Sequence, residues 1–281
     1  MDYKEYKPPK ELSHIVECFW TNTLHPEDFQ QDYDYIIPDG SADAIFMLNG
    51  NYLRHDERNQ VENLVEHCSF VTPFRHAVKV YQKPHTTCLV IRFKPEAIQA
   101  LTGASLGELD QPVYPLEHIL PELADLAMNQ IYKKNHPENI ILKIMDWLTR
   151  KQLEPTSNPL VSLFISRTIR QRGVIVIKDF CNEMDVHKST LEKSFKHITG
   201  YTPKEYARII RFNFLLNRVL FTPMNLTEAC YEMGYFDQSH MIRDFRKVTG
   251  TSPTDFIDKK FTVPKLAALA ITNKGNFFEY R

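Results

Sequence analysis

The first copy of a repeated segment reads Ser189-Thr-Leu-Glu-Lys-Ser-Phe195-Lys196-His-Ile-Thr199-Gly200-Tyr-Thr202-Pro203-Lys-Glu205-Tyr206. The second copy reads Ser239-His-Met-Ile-Arg-Asp-Phe245-Arg246-Lys-Val-Thr249-Gly250-Thr-Ser252-Pro253-Thr-Asp255-Phe256, at an offset of 50 residues (239 minus 189). Upstream, Cys181-Asn-Glu-Met184 is matched by Cys230-Tyr-Glu-Met233 at an offset of 49 (230 minus 181). A repeat whose offset changes by one residue at a turn indicates a duplicated supersecondary unit.

The first copy has the pattern of a helix, a short turn and a second helix. Residues 177–184 are predicted to form the first helix, Asp185-Val186-His187 the turn, and residues 189–198 the second helix before Gly200. In such a unit the second helix can lie in the major groove of DNA.

The second copy repeats this pattern after a long connecting helix. That helix is predicted to begin at a capping box, Thr202-Pro203-Lys-Glu205, and to run to about residue 220. Asn225 then begins the second unit, Gly234 supplies its turn, and residues 239–248 form its second helix. Two units on one connecting helix can place two reading helices about 34 Å apart, which is one turn of DNA.

The reading helices carry polar side chains outside their apolar stripes, and these can contact phosphates and base edges. We predict that the DNA contacts are made by Lys188, Ser189, Thr190, Glu192, Lys193 and Lys196 in the first copy and by Gln238, Ser239, His240, Arg243, Arg246 and Lys247 in the second. The alternative is a helical protein-binding domain whose charges are simply solvated. Two copies with matching Thr-Gly-x-Thr/Ser-Pro tails favour DNA binding.

The charge distribution also differs between the two ends of the chain. Residues 158–261 contain 16 Lys and Arg against 11 Asp and Glu, whereas residues 1–157 contain 15 against 23. An acidic front half joined to a basic back half fits a sensing domain attached to a domain that binds a polyanion.

The composition is that of an ordinary globular protein, with 281 residues, 43% hydrophobic and 25% charged. No apolar run is long enough to span a bilayer, and the N-terminus lacks the apolar core of a signal peptide. The five cysteines are scattered and have no C-x-x-C spacing, so we expect free, mostly buried thiols in a cytoplasmic protein with no membrane partner.

The first 115 residues are predicted to be rich in β-strands. Short β-branched or aromatic runs at 33–37, 42–48, 69–72, 76–81 and 87–93 are separated by turn residues, which suggests a small antiparallel barrel or sandwich. Residues 11–20 have apolar positions at helical spacing and are predicted to form a helix. No His-x-His, Gly-x-Ser-x-Gly or P-loop pattern occurs, so we predict no metal, no cofactor and no catalytic residue.

A β-barrel can hold a small molecule in its interior. The aromatic and cationic residues near the predicted strands that we consider for such a site are Tyr33, Tyr35, Phe46, Arg75 and Arg92. Ordinary core packing of the rings and surface or structural roles for the two arginines are the competing interpretation.

Two amphipathic helices are predicted between the β-rich and the repeated parts, at residues 116–132 and 137–152. They fit either a cap on the β-domain or a homodimer interface, and we favour the interface. Four regions result: a sensing domain (1–115), linking helices (116–157), a DNA-binding domain (158–261) and a tail of unassigned role (262–281).

The residues of the repeated part resemble the AraC/XylS family of bacterial transcription regulators. The most specific stretch is Cys230-x-x-x-Gly234-Tyr235-x-x-x-Ser239-x-x-x-Arg243-x-Phe245-Arg246-x-x-x-Gly250-x-Ser252-Pro253-x-x-Phe256. The resemblance implies an all-helical domain with two helix-turn-helix motifs, promoter DNA as partner, and activation of transcription through RNA polymerase. By position, it assigns base contacts to Ser189, Glu192, Lys193, Gln238, Ser239, His240 and Arg243.

Three positions depart from the family pattern. Asp185 stands where the first turn often has Gly, and Asp tolerates a left-handed backbone better than most residues. Val176 replaces a Ser or Thr helix cap, and Lys193 replaces a frequent Arg, whose planar fork reads guanine more specifically.

The front half resembles an uncharacterised, cupin-like N-terminal domain through Ile37-Pro38-Asp39-Gly40 and Ile91-Arg92-Phe93-Lys94-Pro95. Such a domain implies a sensing role without naming an effector. The rival hypothesis is an enzyme domain that binds a small molecule and is fused to a DNA-binding module. The missing nucleophile and metal spacings argue against it.

Overall fold

The computed structural model describes residues 1–28, 32–151, 158–221, 225–259 and 261. Within them, a β-rich domain precedes a helical domain, as predicted. Residues 152–157, which end the predicted linking region, and the tail from residue 262 lie outside the described residues.

The β-rich domain is a sandwich of two antiparallel sheets. The larger sheet has the order β1 (Asp2–Tyr6), β2 (Val16–Thr23), β9 (Thr87–Phe93), β4 (Ala42–Asn49), β7 (Cys68–Val71) and β10 (Val113–Pro115). The smaller sheet has the order β3 (Asp34–Ile36), β8 (Val78–Gln82), β5 (Tyr52–Asp56) and β6 (Val61–Val65). In the described part of the chain the two sheets are not closed into a barrel, so the sandwich alternative is the correct one.

The helix predicted at residues 11–20 is wrong. Lys10–Leu12 form one 3-10 turn, and Val16 begins β2. This strand pairs along its length with β9, from Val16 opposite Phe93 to Thr23 opposite Thr87. The partner strand lies about seventy residues away, and its hydrogen bonds override the local helical spacing.

Three helices complete the first domain: α1 (Ile98–Thr102), α2 (Pro121–Tyr132) and α3 (Pro137–Arg150). Their buried residues, such as Leu123 and Ile144, share one apolar core with Phe19, Phe46 and Phe93 of the larger sheet. The two linking helices therefore cap this sheet. A homodimer through their outer face stays a prediction.

The second domain contains seven helices within the described residues. They are α4 (Pro159–Arg170), α5 (Ile177–Glu183), α6 (Lys188–Thr199), α7 (Pro203–Phe221), α8 (Leu226–Glu232), α9 (Gln238–Thr249) and α10 (Pro253–Asp258). The pairs α5–α6 and α8–α9 are the two predicted helix-turn-helix units, and α7 connects them. One core surrounds Phe164 and Phe195 in the first unit, and another surrounds Phe212 and Phe245 in the second.

The local signals at the helix ends behave as the sequence predicts. Asp185 has φ of 50°, so the first turn does use a left-handed residue. Val176 provides no side-chain cap for α5. The Thr202 hydroxyl accepts from the backbone N–H of Glu205, whose carboxylate in turn accepts from the N–H of Thr202, as in a capping box.

The two domains share a core. Tyr35 and Ile37 of the first domain belong to the same buried cluster as Phe212, Phe245 and other apolar residues of the second helix-turn-helix unit. The Tyr35 ring lies 5.9 Å from that of Phe256 between centroids. The second unit is thus attached to the β-sandwich by apolar packing as well as by hydrogen bonds.

Candidate DNA interface and the cavity behind it

The predicted DNA contacts lie on the outer faces of α6 and α9. In α6, Lys188, Ser189, Thr190, Lys193 and Lys196 are exposed and Glu192 is half-buried. In α9, Gln238, Ser239, Arg243, Arg246 and Lys247 are exposed and His240 is half-buried. Each reading helix thus offers basic and hydroxyl or amide groups to a partner, which suits phosphate and base contacts.

Several of these side chains have partners within their own unit. Lys188 lies 3.3 Å from Glu192, one helical turn along α6. Gln238 donates to the Thr227 hydroxyl of α8. Exposed pairs of this kind contribute little to stability, so Lys188 and Gln238 can exchange their partners for DNA at small cost in free energy.

Phe236 is a surface feature that the sequence reasoning missed. It precedes α9 directly and is 87% exposed. A large apolar side chain beside a reading helix can contact a thymine methyl group. The sequence does contain a sign of this feature, because an aromatic residue stands in the turn of the second copy at a position that does not belong to the core.

A buried ion pair fixes α9 to the connecting helix. Arg211 of α7 donates to Asp244 at 2.8 Å, and Asp244 is 5% exposed. The Arg211 guanidinium also lies 4.2 Å from the ring centroid of Tyr235. Because Asp244 faces inward, Arg243 and Arg246 on either side of it face outward.

The first domain caps the C-terminal end of α6. The backbone N–H of Gly107 donates to the carbonyl of His197 at 2.9 Å, and Arg75 Nη2 donates to the carbonyl of Gly200 at 2.6 Å. The last carbonyls of a helix have no partner within the helix, so donors from outside satisfy them. Arg75 is further held by Glu205 at 2.9 Å.

The same domain caps the C-terminal end of α9. The backbone N–H of Ala77 donates to the carbonyl of Val248 at 2.7 Å, and Arg58 Nη2 donates to the carbonyl of Arg246 at 2.8 Å. Both reading helices are therefore held at the same end, over corresponding turns of the repeat. These four hydrogen bonds use backbone carbonyls of the helices and not the side chains predicted to contact DNA.

The connecting helix is held by two loops of the first domain. Asn213 Nδ2 donates to the carbonyl of Pro38 at 2.7 Å. Just before α7, the Tyr201 hydroxyl donates to the carbonyl of Phe74 at 2.8 Å. Gly40 lies so close to α7 that a Cβ on it would be 2.6 Å from the Tyr206 ring.

A cavity of about 100 Å³ lies between the two sheets, directly behind these loops. Its wall includes Ile37, Asp39 and Ser41 of one loop and Phe74 of the other. The same two loops thus line the cavity and contact the DNA-binding domain.

The cavity wall is mostly apolar and contains two arginines. Arg92 is paired with Asp39 at 2.8 Å and with Asp43 at 3.3 Å. Burial raises the pKa of Asp43, and repulsion by the neighbouring Asp39 carboxylate adds to the effect, whereas Arg92 opposes it. The second arginine, Arg54, has no such carboxylate partner among the described residues.

Of the five residues predicted for a ligand site, Arg92 lines the cavity. Tyr33 and Tyr35 lie against Phe261, and Arg75 pairs with Glu205 across the domain interface. Phe46 is fully buried in the core of the larger sheet. The cavity residues that the sequence did not single out are chiefly Trp20, Asp39, Asp43, Tyr52, Arg54 and Phe74.

Among the described residues, no group of three or more His, Cys, Asp and Glu side chains is arranged to hold a metal ion. None of the described helices is long and apolar enough to cross a membrane. All five cysteines are free and buried, as predicted.

Residues 180–259 match a family described as a helix-turn-helix domain. This match covers the second helix of the first unit and the whole of the second unit. This part of the chain is an AraC-type helix-turn-helix domain. The chain is accordingly a DNA-binding transcription regulator.

Residues 4–115 of this regulator match a domain of unknown function, DUF6597. That match covers the β-sandwich and agrees with the resemblance to an uncharacterised N-terminal domain. No curated protein matches the chain significantly.

Three solved structures match the chain at low sequence identity. An apo ToxT variant from Vibrio cholerae is 13% identical, with 86% of this chain and 97% of that chain covered and a TM-score of 0.48. ToxT from Vibrio cholerae bound to an unsaturated fatty acid is 11% identical, with 91% and 93% covered and a TM-score of 0.43. The AraC-like transcriptional activator CuxR is 13% identical, with 69% and 72% covered and a TM-score of 0.27.

Proposed function

We propose that this regulator binds two successive major-groove segments with α6 and α9, and that a small molecule in the sandwich cavity controls how those helices are held. The observation that carries the proposal is the set of caps on the two helices. Donors from the first domain reach carbonyls at the C-terminal end of both helices, and the loops beside them line the cavity.

The geometry of the connecting helix supports a two-segment site. α7 has 19 residues, which correspond to about 28 Å at the rise of an α-helix. Successive major-groove segments on one side of DNA are about 34 Å apart. α7 packs against α6 near its start, through Tyr206 and Phe195, and against α9 near its middle, through Phe212 and Phe245. A helix of this length has room for both reading helices along it.

Within this proposal, the predicted contacts divide into two classes. Ser189, Glu192, Lys193, Gln238, Ser239, His240 and Arg243 contact bases, and the remaining lysines, Thr190 and Arg246 contact phosphates. Phe236 joins the first class as an apolar contact. Base contacts determine sequence preference, whereas phosphate contacts determine affinity and its salt dependence.

Two further parts of the proposal concern partners. As the family resemblance implies, the regulator activates transcription through RNA polymerase. A homodimer through the outer face of α2 and α3 is supported by the exposed Tyr132 and Leu142, which leave apolar surface on this face. Both parts are tested by promoter-dependent transcription with purified polymerase and by sedimentation of the full chain.

The experiment for the central proposal begins by selecting genomic DNA fragments with the purified full chain. We expect two sequence blocks whose centres are about 10 base pairs apart. Affinity for such a fragment is then compared with that for a fragment in which the blocks are separated by two more base pairs. A single block in the selected fragments would contradict the two-segment proposal.

The caps are tested on the same two fragments. Arg58→Ala and Arg75→Ala each remove one side-chain cap, so both variants should discriminate less between the two spacings than the parent does. Arg150→Ala is the matched control because Arg150 forms an exposed pair with Asp146 on α3 and no cap. Equal discrimination by the parent and both cap variants would refute the role given to the caps.

A further inference from the structure

The cavity between the sheets contains a buried cation without a matching anion. Arg54 lies on β5, and its side chain is only 2% exposed. Its Nη1 donates to the carbonyl of Pro112 at 3.3 Å. Its Nη2 is buried and has no hydrogen-bond partner within the described part of the chain. A buried charge costs free energy unless it is paired and hydrogen-bonded.

The neighbours of Arg54 hold it in place without neutralising it. The guanidinium lies 4.3 Å from the ring centroid of Phe74, which restricts its orientation. Tyr52, two residues along the same strand, faces the same cavity. Burial lowers the pKa of the Arg54 guanidinium, which is the effect expected when desolvation is not balanced by a close carboxylate.

Arg92, the other arginine of the cavity, has its charge balanced by two carboxylates. Arg92 has Asp39 and Asp43 within 3.3 Å, and these two carboxylates also give the cavity a region of negative charge. A dianion such as a phosphate group would be repelled by them, whereas a monoanion can bind Arg54 at the other part of the wall. Arg forks match the planar carboxylate group in particular.

The size of the cavity limits the ligand. A cavity of about 150 Å³ is known to hold benzene, which has six non-hydrogen atoms. The cavity here measures about 100 Å³, so by proportion it holds about four non-hydrogen atoms, and the six of benzene are an upper limit. A long acyl chain does not fit without rearrangement of the sheets.

We propose that the cavity is a binding site for a small monocarboxylate of about four to six non-hydrogen atoms, with the carboxylate on Arg54 Nη2 and the apolar part between Trp20, Tyr52 and Val90. That this ligand is the effector rests on the proposed function above. The binding itself does not.

The test uses the full chain and titration calorimetry with four probes: butyrate, its neutral analogue butyramide, the longer octanoate, and inorganic phosphate. Butyrate should bind saturably and at least tenfold more tightly than the other three, because only butyrate satisfies charge, shape and size together. Equal affinity for butyrate and butyramide, or no binding of butyrate, would overturn the proposal. Tighter binding of octanoate or phosphate would also overturn it.

Two variants locate the site. Arg54→Met should lower butyrate affinity at least tenfold while butyramide is unaffected, and its circular dichroism and unfolding midpoint show whether the sandwich is intact. If Arg54→Met does not fold, Val90→Leu provides the second route, because it keeps Arg54 and fills part of the cavity. This variant should weaken butyrate more than acetate, and equal effects on the two acids would count against the site.

Two outcomes distinguish failure of the carboxylate site from failure of its regulatory role. Arg54-dependent binding of butyrate that leaves DNA affinity unchanged would support the site and contradict the effector role. A chain that binds the two-block DNA fragment but none of the acids would keep the DNA-binding proposal and remove the carboxylate site.

Discussion

The contact between Gly40 and the connecting helix gives the sharpest test of how the two domains meet. Gly40 has φ of +85°, and a Cβ built on it would lie 2.6 Å from Cε2 and 3.2 Å from Cδ2 of Tyr206. Tyr206 is 2% exposed, and its ring packs against Phe195 in the core of the first unit. The ring therefore has little room to move away from an added methyl group.

We expect Gly40→Ala to destabilise the docked chain by about 2–5 kcal/mol. A left-handed backbone costs an L-residue about 1–2 kcal/mol, and forcing an extra carbon into a packed contact costs about 1–3 kcal/mol. The loop can relieve the contact by moving away from α7, which would break the hydrogen bond from Asn213 to Pro38.

Gly103→Ala is the matched control. Gly103 has φ of +76°, and a Cβ on it would meet nothing within 4 Å. The two substitutions share the backbone strain and the effect of Gly→Ala on the unfolded chain. Their difference, about 1–3 kcal/mol, therefore isolates the contact with Tyr206.

The assay is urea unfolding of the full chain, combined with hydrogen exchange of residues 203–213 to separate undocking from global unfolding. Gly40→Ala should speed exchange in this segment, and Gly103→Ala should not. In a Tyr206→Leu background the cost of Gly40→Ala should fall, because the clashing ring atoms are gone. Equal destabilisation by Gly40→Ala and Gly103→Ala would falsify the close contact between loop and helix.

The remaining predictions concern DNA binding and pH. Arg243→Ala should weaken specific binding by about 1–3 kcal/mol and relax the preference at one base pair without affecting the unfolding midpoint; unchanged selectivity would contradict a base contact. Lys196→Ala and Arg246→Ala should each flatten the dependence of log affinity on log salt by about one unit, measured by fluorescence anisotropy. Burial alone would raise the pKa of Glu205, but hydrogen bonds from Thr202 and Arg75 hold this pKa below its ordinary value. At pH values above the ordinary glutamate pKa of about 4.3, ionised Glu205 therefore stabilises docking. This contribution is lost as the pH falls through the lower pKa that Glu205 has in the folded chain. Arg75→Met should reduce that acid-induced loss, and an identical pH profile of hydrogen exchange would refute the assignment.

Much of the helical domain could be predicted because its signals are local. The caps at Asn158, Thr202, Asn225 and Ser252 each act within one helical turn. The repeat at a fixed offset supplied the tertiary information that single helices lack. Asp185 illustrates the point, since its place in the repeat predicts the left-handed backbone that the structure has.

The β-sandwich was predicted less well because its determinants are distant in the sequence. The spacing of apolar residues from Leu12 to Trp20 fits a helix, and only the pairing with β9 makes the segment a strand. Closure into a barrel or separation into two sheets depends in the same way on strand pairing. Arg54 escaped notice because a single charged residue in a polar run has no sequence signal for burial.

The interface explains why the two copies of the repeat are not equivalent towards the first domain. The first domain holds the unit of α6 through hydrogen bonds from Arg75 and the Gly107 loop and through the close contact of Gly40 with Tyr206. The unit of α9, in contrast, shares its core with Tyr35 and Ile37 of β3 and its loop. Ile37 lines the cavity as well. A ligand that displaces this residue therefore acts directly on the core packing of the second unit. The copy with Arg243 and Gln238, whose side chains suit strict base recognition, is thus the copy whose core includes a cavity-lining residue. We therefore expect occupancy of the cavity to change affinity for the DNA block bound by α9 more than for the block bound by α6.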